Sequence, residues 1–171
     1  MADLLGDLRV LLRKVIAMKK RSKYKPKGVR LDNMAWVQSG LKRVDEVSAS
    51  ATIKIRNHDA MNTLRLGSAT RAEIDIIINA LNIAEALAQQ GIGSDWMPEL
   101  RAAQDALYTL ARRGLTSRFI VRGDELTALN LAMEIHDAQL ETVTVRQLEA
   151  ALNFVNETVR LKKARPIVET V

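Results

Sequence analysis

Between Thr70 and Gln90 the chain reads TRAEIDIIINALNIAEALAQQ. Ile74, Ile77, Ile78, Leu81, Ala84 and Ala88 follow one another at three- and four-residue steps, and Ile76, Ala80, Ile83 and Leu87 form a second apolar row. Only a narrow polar stripe remains, through Asp75, Asn79, Asn82 and Gln89, with Glu85 beside it. A helix that is apolar around most of its circumference belongs in a core. Thr70-x-x-Glu73 predicts a capping box at its start, the hydroxyl accepting a first-turn amide and the carboxylate accepting the cap amide. Gly91 predicts a left-handed C-terminal cap. The charges and amides of the stripe exclude a membrane span.

The same periodicity places the other elements. Asp3 to Lys20 is predicted as an amphipathic helix with Leu4, Leu5, Leu8, Leu11, Leu12 and Val15 on one face, stopped by Pro26 and Gly28. Asp32 is a candidate cap for a short helix through Met34 and Val37 to Gly40, although Val29 and Leu31 also suit extended chain. Residues 45–54 read as a loop with an extended piece at Thr52 to Ile55. Asn57 is then expected to cap a short helix through Ala60, Met61 and Leu64, closed by Gly67. GIGSDWMP is a turn with Pro98 in the first turn of the next helix, which carries Leu100, Ala103, Leu107 and Leu110 to about Arg113. Residues 115–122 fit a helical continuation or a short strand. Asp124 is expected to cap a helix through Leu126, Leu129, Met133, Ile135 and Leu140. Thr144-x-x-Gln147 opens another through Leu148, Leu152, Val155 and Val159. The expectation is an all-α, single-domain bundle of five or six helices: a basic helix and linker arm at 1–28, the bundle at 29–165 and a frayed tail at 166–171.

Composition supports this picture. The chain has 171 residues, 47% of them hydrophobic but only 4% aromatic, so packing rests on Leu, Ile, Val, Ala and Met, which suits helices. There is no cysteine, so thiol chemistry and disulfides are excluded. Asp7, Arg9 and Arg13 interrupt the N-terminal apolar run, so no signal peptide is expected and the protein is assigned to the cytoplasm.

Charge changes the picture more. The chain holds 26 Lys and Arg against 20 Asp and Glu, a net charge of +6. Ten of those bases, and no acid, lie within residues 9–30; the sixteen left elsewhere face all twenty acids. The basicity therefore belongs to one segment attached to a mildly acidic body. Lys19, Lys20, Arg21, Lys23, Lys25 and Lys27 suit contacts to nucleic-acid phosphates, with Tyr24 able to stack on a base. A solvated linker and an anionic membrane surface are the competing readings of the same run.

Three further constellations are candidate sites. Arg112, Arg113, Arg118 and Arg122 are a cation cluster that would bind an anion, or else compensate a helix C-terminus. Asn79 and Asn82 would fix a register or line a ligand pocket between helices. His-Asp-Ala occurs twice, at 58–60 and 136–138, each before a Thr-capped helix with Asn-x-x-Asn. Unequal spacings, twelve residues from His58 to Thr70 and eight from His136 to Thr144, weigh against a duplication. His58, Asp59, His136 and Asp137 are weak metal-ligand candidates, in an order similar to HD-type phosphohydrolases. No Asp follows Asp137, so Glu141 would have to supply the last ligand. The competing reading makes His58 part of an N-cap and His136 a half-buried polar residue within its helix. No cofactor is expected. No phosphate-binding glycine loop or nucleophile elbow occurs.

The segments YKPKGVRLDNMAWV, IRNHDAMNTLRLGSATRAEIDIIINALNIAEAL and TALNLAMEIHDAQLETVTVRQLEAAL resemble uncharacterised small proteins of tailed phages and prophages of Gram-negative bacteria, over about residues 23–160. The resemblance transfers no catalytic residue. It implies a phage accessory protein in the host cytoplasm: a non-enzymatic binder of nucleic acid, or an inhibitor of host defence that captures a host protein or a nucleotide signal. A homo-oligomer is compatible with both.

Overall fold

In a computed structural model of the chain, residues 33–46 and 48–163 are described. They form an all-α bundle of six α-helices: α1 (Asn33–Leu41), α2 (Ser48–Arg65), α3 (Arg71–Gln89), α4 (Met97–Gly114), α5 (Gly123–Thr142) and α6 (Val145–Arg160). Short 3-10 turns stand at Val44–Glu46 and Ser94–Trp96. The basic arm and the tail lie outside the described residues.

Helix α3 is the centre, packed against α2, α4, α5 and α6. It buries Ile74, Ile77, Ala80, Leu81, Ala84, Ala86, Leu87 and Ala88, so both apolar rows meet a neighbour. Each large aliphatic side chain withdrawn from water contributes roughly 1.5–3 kcal/mol. Its predicted cap is present: Ala72 N–H donates to Thr70 Oγ1 at 3.2 Å, and Thr70 N–H donates to Glu73 Oε2 at 2.7 Å. Gly91 follows Gln90 with φ of +89°, where a side chain would be strained.

The core has two parts. The larger joins α2, α3, α4 and α5 through Leu64, Ile77, Leu81, Leu100, Leu110 and Leu129. The smaller gathers Val44, Leu87, Leu140, Val143 and Ala151. A single antiparallel bridge, Arg43 with Thr144, closes the smaller part. Val44 N–H donates to Val143 O and Val145 N–H to Lys42 O, both at 2.9 Å. The chain entering α2 is thereby tied to the turn between α5 and α6.

Four sequence expectations are corrected. Residues 48–54 are not loop or extended chain but the first turns of the 18-residue α2. Ile53 packs against the smaller core and Ser50 is buried, so tertiary contacts outweigh the weak helix preference of Ser, Thr and Ile. Asn57 consequently does not cap a helix; it is a buried mid-helix residue. Asp124 is not the cap of α5. Arg122 occupies that position, and its N–H donates to Glu125 Oε2 at 2.8 Å. The ambiguous segment 115–122 is neither helix nor strand. It folds back so that Phe119 lies over Gly114, where a Cβ would collide with the ring.

Candidate functional site

The nucleic-acid candidates Lys19, Lys20, Arg21, Lys23, Tyr24, Lys25 and Lys27 lie outside the described residues. The other candidates can be placed.

Of the four arginines, Arg113 is committed to the fold. Its guanidinium forms a two-pronged bond with Glu125, Nη1 to Oε1 and Nη2 to Oε2, each at 2.8 Å, and Nη2 also donates to Ile120 O at 2.9 Å. The fork pulls the Glu125 carboxyl below the usual range, against the opposing effect of burial. Arg113 thus closes the 115–122 segment onto α5 and is withdrawn from an anion site. Arg112 lies 5.8 Å from the Tyr108 ring centroid, a cation–π distance. Arg118 and Arg122 are exposed.

The two His-Asp pairs meet through one residue of each, His58 and Asp137. Helices α2 and α5 run antiparallel, linked by Lys54 Nζ to Glu141 Oε1 at 2.9 Å and His58 Nε2 to Asp137 Oδ2 at 2.6 Å. Asp59 lies on the same helix as His58. His136, expected half-buried, is 1% exposed, and its Nδ1 has no hydrogen-bond partner. Burial pushes its pKa down to about 4, although Asp137 and Gln139 favour the imidazolium; Lys54 acts in the same direction as burial. His136 is therefore a neutral core residue at pH 7. Asn57, adjacent to His58, is also buried, with neither side-chain atom hydrogen-bonded. Among the described residues no three His, Asp or Glu side chains gather as a metal site requires.

The amide candidates separate. Asn79 is exposed, whereas Asn82 is half-buried in a groove between α3, α4 and α6. Ile78, Leu81, Leu107, Phe154 and Val155 give the groove apolar walls, around a volume of about 400 Å³. A polar chain crosses it. Gln104 Nε2 donates to Glu85 Oε2 at 2.9 Å and to Asn82 Oδ1 at 3.4 Å, and Arg101 Nε stands 3.7 Å from Glu85 Oε1. Tyr108, which carries Arg112, also lines it.

No family model, curated protein or solved structure matches this chain. The arrangement itself is therefore the guide. A ligand-sized groove with a hydrogen-bonded polar chain suits binding. No described helix is long and apolar enough to cross a membrane. Sequence reasoning missed Gln104 and Tyr108, because nothing in the α4 pattern distinguishes these positions from ordinary surface. It also missed the Arg113–Glu125 fork, although Arg122-x-x-Glu125 has the spacing by which a first-turn carboxylate reaches its cap amide.

Proposed function

We propose that this chain is a non-enzymatic accessory binding protein of the phage or prophage type, acting in the host cytoplasm, whose basic segment contacts nucleic acid. The observation that carries the reading is charge segregation: ten bases and no acid within residues 9–30, beside a body in which acids outnumber bases. Lys19, Lys20, Arg21, Lys23, Lys25 and Lys27 neutralise phosphates and release counterions, and Tyr24 stacks on an exposed base. Net repulsion by the acidic remainder confines the contact to the arm.

The test is binding of labelled single- and double-stranded DNA and RNA across a salt series. The full chain is compared with a full chain in which those six bases are changed to Gln. Each lost phosphate contact lowers the slope of log K against log salt by roughly 0.7–0.9. Loss of both affinity and slope in the variant is the expected result. Equal binding by the two chains, or no binding by either at low salt, removes the reading.

The groove supports a second reading, capture of a host protein in the service of phage defence evasion. Its floor on α3 and walls on α4 and α6 leave a slot that an amphipathic helix would enter. Capture of a nucleotide signal is less well supported, because Arg113 is held by Glu125 and the ionisable groups lining the groove are Glu85, Asp105, Tyr108 and Lys163. A second copy of the chain is another occupant compatible with the exposed Phe154 and Val159. Phe154→Glu would abolish partner capture while leaving nucleic-acid affinity unchanged.

A further inference from the structure

A second cavity, of about 410 Å³, lies between α5 and the turn joining α3 to α4. It shares no lining residue with the groove. One wall is a stripe of α5, Leu131, Ile135 and Ala138, and the other is Ile92, Gly93 and Trp96. Trp96 is 48% exposed and Leu131 37% exposed. These are large apolar surfaces to leave facing water on both sides of one cavity.

The turn is held in place by Gln139. This side chain is 3% exposed, and its Nε2 donates to Ala84 O at 3.0 Å and to Ile92 O at 2.7 Å. Gly93, at φ of +76°, lets the backbone pass close; a Cβ there would stand 3.3 Å from Gln139 Nε2. With both amide hydrogens used, Gln139 Oε1 is left as a buried acceptor without a hydrogen bond. His136, three residues earlier on α5, approaches the same amide, and this contact favours its imidazolium. Buried acceptors in native proteins normally find a donor. Among the described residues, the one ionisable side chain lining the cavity is Glu134.

We infer that this cavity binds a small aromatic ammonium compound, its ring against the Trp96 indole and its cationic nitrogen at Glu134. Aromatic and aliphatic walls supply the apolar contact, and the carboxylate selects the sign of the charge. An anionic ligand meets Glu134 with no lining base among the described residues to offset it.

The test uses the full chain with Trp36→Phe, which leaves Trp96 as the sole indole reporter. Three probes share one ring and differ in charge: phenethylammonium, phenylacetamide and phenylacetate. The expected result is saturable change in Trp96 emission by phenethylammonium, with a dissociation constant on the order of 1 mM, the range of a nine-atom ligand. Phenylacetate binds at least about tenfold more weakly, a difference of roughly 1.4 kcal/mol. Glu134→Gln removes the preference for the cation but keeps ring binding. Ala138→Leu, on an exposed helical position, fills the cavity and lowers affinity for all three probes by at least about tenfold, with the helical circular dichroism unchanged. Equal affinity for the three probes, binding indifferent to Ala138→Leu, or no saturable response to any probe each overturns the inference.

Discussion

Helices α3 and α6 make an instructive pair. Helix α6 has the more regular stripe, Val145, Leu148, Leu152, Val155 and Val159 at alternating three- and four-residue steps. Yet Ala151 is its only buried residue, while Leu152, Phe154 and Val159 are 39%, 51% and 56% exposed. Helix α3 has a blurred, almost all-round apolar pattern and buries eight residues. Periodicity tells how a helix divides its faces; the number of neighbours decides how much of each face leaves water. A helix at the edge of a bundle keeps part of its apolar surface for a groove, and α6 does so beside α3 and α4.

The contrast can be broken by substitution. Leu81→Ala in α3 removes a side chain that is 1% exposed in the larger core and is expected to cost about 2–5 kcal/mol in urea unfolding. A loss below about 1 kcal/mol would mean that α3 is not the centre of the fold.

Acid comes next, through His136. Its pKa is lowered from 6.5 to about 4 by burial. Folding then favours the neutral ring, so the stabilising contribution is complete above the unfolded pKa of 6.5 and is lost as pH falls toward 4. The total is about 3 kcal/mol across that window, at roughly 1.36 kcal/mol per unit. Asp137, Lys54 and Gln139 act on the ring as well, so the comparison needed is His136→Gln, whose stability should fall less steeply between pH 6.5 and 4. Parallel slopes for the two chains would show that His136 does not titrate as buried.

Arg113→Ala leaves the Glu125 carboxylate buried without its fork and frees Ile120 O. The expected loss is about 1–3 kcal/mol, with faster amide exchange in residues 115–122. Unchanged exchange there would detach the fork from the closure of that segment. Capping is smaller: Thr70→Ala and Thr144→Ala should each cost about 1 kcal/mol, measured by thermal unfolding. Phe154→Ala on α6 is expected to change stability by less than about 0.5 kcal/mol. A large loss at Phe154 would show that its ring is covered in solution, by a second copy or another partner.

Much of the fold was legible along the chain. The capping boxes at Thr70 and Thr144 depend only on residues three apart, and both form. Gly67 and Gly91 take the left-handed conformation at the ends of α2 and α3, as helix-ending glycines do. The start of α2 was not legible, since SASATIK has weak helix preference and is stabilised from outside by contacts near Ile53. The candidate sites were less legible still. Arg113 looked like one of four equivalent cations until Glu125, twelve positions away, claimed it. His136 read as half-buried within its helix and His58 as part of an N-cap, but His136 is core and His58 sits half-exposed in a mid-helix hydrogen bond to Asp137.

Local rules thus determined the elements of this protein: a helix class, its caps and turns, and a charge held in one segment. Each follows from side chains a few residues apart on one backbone. The tertiary structure alone decided which arginine is structural, which histidine is core, and where two cavities open. Those outcomes depend on burial and on partners 12 to 79 positions apart, and neither propensity nor periodicity carries information over such separations.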